Sequence, residues 1–267
     1  MTSKKSFNLA EAALQIARDE YPDLEPQKYL NLLDSFASEV RSRLTTQVKE
    51  DQIIQELNHY LFDELGLAGN VEDYYDPRNS FLNDVLDRKL GVPILLSIIY
   101  IEVGKQLGLS ISGVNFPGHF LVRAQVGENF HIIDPFSKGV AMEHSELDDL
   151  LISIFGDDAP TIEQEPLLLR TASDADILVR ILSNLKGIYL HHGDIPRLLT
   201  VMDRIISIAP DSPIELRDRG KIYEEVGYNR QALSDYRRYL ELVPDAHDGD
   251  TIRLAISKLQ NMAEYLH

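Results

Sequence analysis

From residue 8 onward, apolar side chains recur at three- to four-residue spacing, the period of a helix with one buried face. Ala12, Ala13, Ile16 and Ala17 share one side of a stretch from Leu9 to Glu20, with Asn8 placed to cap it and Pro22 to end it. Pro26 suits the first turn of a second helix reaching Leu44, along which Tyr29, Leu32, Leu33, Phe36, Val40 and Leu44 keep the spacing. A third helix runs from Asp51 to Leu65 and stops at Gly66. Residues 66–80 hold turn formers and acids, Glu72 and Asp73 among them, and read as a loop. Ser80 then caps a short helix from Phe81 to Lys89.

The stretch from Pro93 to Leu107 is different in kind. Ile94, Leu95, Ile98, Ile99, Ile101 and Val103 leave it almost no polar side, so it is expected to be a central, buried helix opened by a proline that costs no hydrogen bond there. After Gly108 the period shortens. Ser110–Asn115, His119–Val126 and Asn129–Asp134 read as β-strands, and Gly127-Glu128 as a hairpin turn, so the strands should pair antiparallel. Ser145, with Asp148 three residues on, is placed to cap a further helix. Residues 156–166 read as a linker.

From Asp176 the helical period returns and the sequence begins to repeat at about 34 residues. Tyr189, Gly193 and Pro210 are followed one period later by Tyr223, Gly227 and Pro244. Leu198 recurs as Ala232, Met202 as Tyr236 and Ile205 as Tyr239. These are the packing positions of a tetratricopeptide repeat. Gly220 allows close helix approach, Gly227 absorbs the turn, Ala232 keeps the crossing tight and Pro244 ends the helix. A last amphipathic helix from Asp250 to Leu266 is expected to cover the apolar end of the array.

Composition narrows the chemistry. The 267 residues are 44% apolar and 26% charged, a globular balance. A net charge of −17, with no basic run beyond Lys4-Lys5, argues against nucleic acid and fits a soluble chain with a protein or peptide partner. There is no cysteine, which removes disulfides, thiolate metal sites and sulfur nucleophiles together. The start of the chain lacks the apolar run of a secretion signal, and Val92–Val103 is too short to span a bilayer. The reading is a cytoplasmic protein without a membrane segment. His191-His192 point apart on a helix, and the acids around His247 lack a full calcium pattern. No nucleotide or zinc-hydrolase motif occurs, so no cofactor or metal is expected.

Three polar residues stand at or near expected element ends: Ser97 one turn into the buried helix, His119 opening a strand and Asp134 closing the next. That order follows the logic of a nucleophile, a histidine base and an acid that orients it. Each also has a plain structural reading. His119 fits a strand-end histidine bonded to a carbonyl, Asp134-Pro135 a turn, and Ser97 a helix-interior hydroxyl bonded one turn back.

The segments Gly91-Val92-Pro93-Ile94-Leu95-Leu96-Ser97, Phe116-Pro117-Gly118-His119-Phe120 and Asp134-Pro135-Phe136 resemble the transglutaminase-like core. With the repeats and the Asn184-Leu185-Lys186 run that opens them, nearly the whole chain resembles the bacterial SirB-type proteins, which fuse such a domain to tetratricopeptide repeats. The resemblance implies an α+β, papain-like domain over residues 1–160, with helices and a small antiparallel sheet, and an all-α repeat domain over residues 175–267. In active members of the superfamily a cysteine opens the buried helix; here the resemblance places Pro93 in that slot and matches His119 and Asp134 to the other two positions. The expectation is a regulatory or scaffold protein that binds a partner through its repeats and a degenerate transglutaminase-like domain, and is not an enzyme. The alternative is a hydrolase or amide-handling enzyme in which His119 and Asp134 activate Ser97 or a water. The sequence does not fix the oligomeric state.

Overall fold

The computed structural model describes residues 8–264; the tail positions 265 and 266 lie outside them. It divides into two compact units, with the boundary between Ile181 and Leu182, inside a helix.

In the first unit, Asn8 caps α1 (Leu9–Ala17) by accepting the Glu11 N–H at 2.8 Å. Pro26 opens α2 (Pro26–Arg43), whose Tyr29, Leu33, Phe36, Ala37 and Val40 are buried. The third helix is shorter than its pattern suggests: α3 (Glu50–Asn58) loosens into a π-helical turn, His59–Glu64, before Gly66 turns the chain at φ +72°. The segment read as a loop is more ordered than expected. Within it, β1 (Ala68–Gly69) pairs in parallel with β2 (Leu90–Gly91), and Pro77–Ser80 form a 3-10 turn. Between these strands lies α4 (Leu82–Arg88), whose N-cap position is Phe81. Ser80 does not cap it; that side chain is buried and its hydroxyl has no hydrogen-bond partner among the described residues.

The organising element is α5 (Pro93–Gln106). Every residue from Pro93 to Gly104 is buried, in keeping with a helix that has no polar side. Each fully buried Leu or Ile contributes roughly 1.5–3 kcal/mol by leaving water, so this helix fixes what packs around it. A four-stranded antiparallel sheet follows in the order β3 (Ile111–Val114), β4 (Leu121–Val126), β5 (Asn129–Asp134) and β6 (Val140–Met142). Val126 pairs with Asn129 across the Gly127-Glu128 turn, where Gly127 takes φ +57°.

The sequence pattern shows no sign of β6. The strand expected from His119 begins only at Leu121, because Pro117-Gly118 forms a turn with Gly118 at φ +62°. The next helix, α6 (His144–Phe155), is capped by Glu143 and Glu146 and not by Ser145. Asp148 instead accepts the Ile162 N–H at 2.7 Å. That bond and the buried Ile162 tie residues 156–166 to the core formed by Val114, Phe116, Leu121 and Leu147, so they are no free linker.

Helix α7 (Asp174–His192) crosses the unit boundary, starting with a capping box between Ser173 and Asp176. The second unit continues with α8 (Ile195–Ile208), α9 (Pro213–Glu225), α10 (Asn229–Leu242) and α11 (Gly249–Glu264). The repeat is visible in backbone hydrogen bonds. Asp194 N–H donates to the Tyr189 carbonyl at 2.9 Å, and one period later Tyr228 donates to Tyr223 at 2.8 Å. Ala209 donates to Ile205 at 2.8 Å, and Val243 to Tyr239 at 2.9 Å. A Cβ on Gly220 would stand 2.7 Å from the Tyr236 ring, so only glycine admits that ring. Leu216, Ala232, Tyr236 and Tyr239 share a core with Ile252 and Leu259 of α11, which closes the array's end.

One ion pair locks this unit from within. Arg219 Nε and Nη2 donate to the two oxygens of buried Asp235 at 2.8 and 2.7 Å, and Nη1 reaches Asp203 at 2.7 Å. Removing the guanidinium would strand a buried carboxylate. Arg219→Ala is therefore expected to cost about 3–5 kcal/mol in urea unfolding of the full chain, and Arg219→Lys less, because it keeps the charge.

Candidate functional site

His119 is set in place by its neighbours in the chain. Phe116 and Phe120 on either side are buried, and the His119 N–H donates to the Phe116 carbonyl at 3.1 Å to close the turn. Ile154 lies over Gly118, leaving no room for a side chain there. Asp134 is the last residue of β5 and is held by the 3-10 turn Pro135–Ser137 that follows. Its Oδ1 accepts the Phe136 N–H at 2.9 Å and its Oδ2 the Ser137 hydroxyl at 2.7 Å.

The two side chains meet. His119 Nε2 lies 2.9 Å from Asp134 Oδ1, with the carboxylate 6% and the imidazole 15% exposed. Burial alone would raise the Asp134 carboxyl pKa. The bonds from His119, Ser137 and the Phe136 N–H outweigh it and hold the carboxyl below its usual range. An ionised carboxylate only accepts, so Nε2 carries the ring proton, and in the neutral ring Nδ1 is left as the acceptor. Among the described residues Nδ1 has no hydrogen-bond partner.

Ser97 is not part of this pair. It is fully buried, and its hydroxyl donates at 3.2 Å to the carbonyl of Phe120, across the gap to the sheet and not one turn back along its own helix. Pro93, the first residue of α5, is buried as well.

Residues outside the expected triad complete the surroundings. The Phe136 ring meets His119 edge-on, with centroids 5.9 Å apart, and rests on Gly69 so closely that a Cβ there would collide with it. Buried Asn79 organises the 70–80 loop against the head of α5. Its carbonyl accepts the Val92 N–H at 3.1 Å, while its amide group donates to the Asp73 carbonyl at 2.7 Å and accepts from Asn70 at 3.0 Å. Nothing in the hydrophobic pattern marks Asn79 or Gly69. An Asn-Ser pair and a glycine in a turn-rich stretch read as ordinary loop residues.

Residues 27–183 match the transglutaminase-like superfamily. The chain belongs to that superfamily. Residues 185–257 match the tetratricopeptide repeat, so the superfamily domain is followed by repeats, and the architecture is α+β and then all-α. A UPF0162 protein of Xylella fastidiosa strain Temecula1 is 41% identical over 257 residues, 96% of this chain and 92% of that protein. A UPF0162 protein of Vibrio cholerae is 26% identical over 257 residues, 96% of this chain and 94% of its own. F-box only protein 21 of Homo sapiens is 34% identical over 110 residues, 38% of this chain and 18% of that protein. The bacterial likeness therefore embraces both units.

Chemically, the pair can hold and move a proton at Nδ1, and the chain offers no thiol for it to activate. Among the described residues no three metal-ligating side chains stand together, and no helix is long and apolar enough to cross a membrane.

The depressed Asp134 pKa carries a pH signature. Its stabilisation is full above the unfolded carboxyl value and is lost as pH falls through the folded one. Subtracting unfolding curves, Asp134→Asn is expected to be less stable than the parent at neutral pH. The gap should narrow as the pH falls below the ordinary carboxylate range.

Proposed function

We propose that this is a non-catalytic, cytoplasmic scaffold or regulatory protein, a pseudoenzyme of the transglutaminase-like superfamily that binds a protein partner. The repeats supply one binding surface and the degenerate domain a second. One observation carries the reading: the head of the buried helix presents Pro93, which can neither ionise nor attack, in a chain without cysteine. Ser97 supports it, because a fully buried hydroxyl already donating to a carbonyl is no replacement nucleophile. The tetratricopeptide match supports protein binding, since stacked helix pairs present an extended surface to a peptide or helix. The likeness to SirB-type proteins, with the same order of domains, agrees with it. The net charge of −17 favours a protein over nucleic acid as partner, and no cofactor is needed.

The oriented imidazole favours a second reading, an enzyme in which His119 activates a water while Asp134 fixes the ring. The two readings differ in one assay. Purified full-length protein and His119→Ala, incubated with peptide, ester and amide substrates, are expected to give the same background hydrolysis. Turnover well above background that disappears in His119→Ala would establish the enzyme and discard the scaffold. Affinity capture with the intact chain should recover a reproducible protein partner; repeated failure would count against the scaffold.

A further inference from the structure

Arg180 stands out in so acidic a chain because its charge is partly buried without a carboxylate to answer it. The residue lies on α7, three positions after Ile177, which is buried against Gly113 of β3. Its Nη1 donates to the Asn115 side-chain oxygen at 2.9 Å and, weakly, to the Phe116 carbonyl at 3.5 Å. Both acceptors are neutral. Among the described residues no Asp or Glu pairs with it, although the chain has 43 of them. Burial pulls the Arg180 pKa down.

A half-buried cation without a counter-charge carries part of the cost of leaving water, and proteins as a rule pair such groups. The position of this one is informative. The Phe116 carbonyl that meets Arg180 Nη1 also accepts the His119 N–H, so one oxygen joins the guanidinium to the turn that carries the imidazole. Both hydrogen bonds engage Nη1 and leave the Nε–Nη2 edge unused, and that edge is the fork that meets a carboxylate with two parallel bonds.

We propose that Arg180 is the anchor of an anion subsite beside His119, and that it takes a peptide carboxylate, either a free C-terminus or an Asp or Glu side chain. A single guanidinium matches a monoanion. A phosphate dianion would call for more positive charge than this face supplies, and the surrounding field of a −17 chain opposes it. This rests on the reading of the domain as a binding module, and it names what that module would recognise.

The test is an NMR titration of the full-length chain, isotope-labelled, following the Arg180 Nε–H resonance assigned by its loss in Arg180→Lys. Three probes are added: N-acetyl-Ala-Ala with a free carboxylate, its C-terminal amide, and N-acetyl-Glu amide. Saturable shifts with one or both carboxylate probes, absent with the neutral amide, are expected. The free dipeptide and the glutamate amide separate a C-terminus from an acidic side chain. In Arg180→Lys, followed through the backbone amides of Asn115 and His119, binding should weaken by about tenfold or more, since a lysine cannot make the paired bonds. Equal shifts with the acid and its amide, or no shift with any probe, would overturn the proposal on the parent protein alone, whatever the variant's folding. Equal affinity in Arg180→Lys would also overturn it. The titration reads binding and not turnover, so it can stand if hydrolytic activity is found and can fail while the scaffold reading holds.

Discussion

Helix α5 has no polar side, and that constraint shapes the first unit. A helix apolar all round cannot lie on a surface; it must be enclosed. Helices α1 and α2, the sheet and the turn Pro135–Ser137 all close around it, and Tyr100 in its middle donates to Asn58 at 2.8 Å. Asn58 in turn donates to the Gly139 carbonyl at 2.8 Å and fills the space where a side chain at 139 would stand. Enclosing α5 therefore also positions the chain just after Asp134. The imidazole–carboxylate pair follows from that packing: β3, β4 and the turn Pro135–Ser137 lie against the helix, and the turn before β4 and the end of β5 bring His119 and Asp134 to 2.9 Å.

The same enclosure decides what the pair can work on. The first turn of α5 is where free backbone amides would favour an anionic nucleophile. Pro93 has no N–H and no reactive atom, and the preceding Val92 N–H is already taken by the Asn79 carbonyl. One turn further on, Ser97 is consumed in tying the helix to the sheet through Phe120. The domain thus pairs His119 with Asp134, while the head of α5 carries Pro93 and the Ser97 hydroxyl is bonded to a carbonyl. Arg180 is tied to the same turn, donating to the Asn115 side chain and the Phe116 carbonyl.

Parts of this were legible in the residues. The repeat could be counted because glycine, proline and aromatic packing positions recur at one spacing, and each recurs for a local reason such as the Gly220–Tyr236 contact. The buried helix was legible from composition alone. The His119–Asp134 pairing was suggested by their order along consecutive β-prone runs. Features set by distant contacts were not legible. β6 is short and largely exposed, and it exists because β5 offers it an edge. The caps at Phe81 and Glu143 displaced the serines a local rule favours, because Ser80 is buried and Glu146 reaches back to the Glu143 N–H. The partner of Ser97 and the isolation of Arg180 depend on what lies across the fold, and neighbouring sequence does not encode that.

Whether the His119–Asp134 pair stands without a nucleophile is read most directly by a covalent trap. Full-length protein incubated with an activated acyl ester can be followed by intact-mass spectrometry and compared with a His119→Ala sample treated identically. The two should show the same slow, scattered acylation. A rapid single adduct at a side chain beside the head of α5, formed only when His119 is present, would contradict the account.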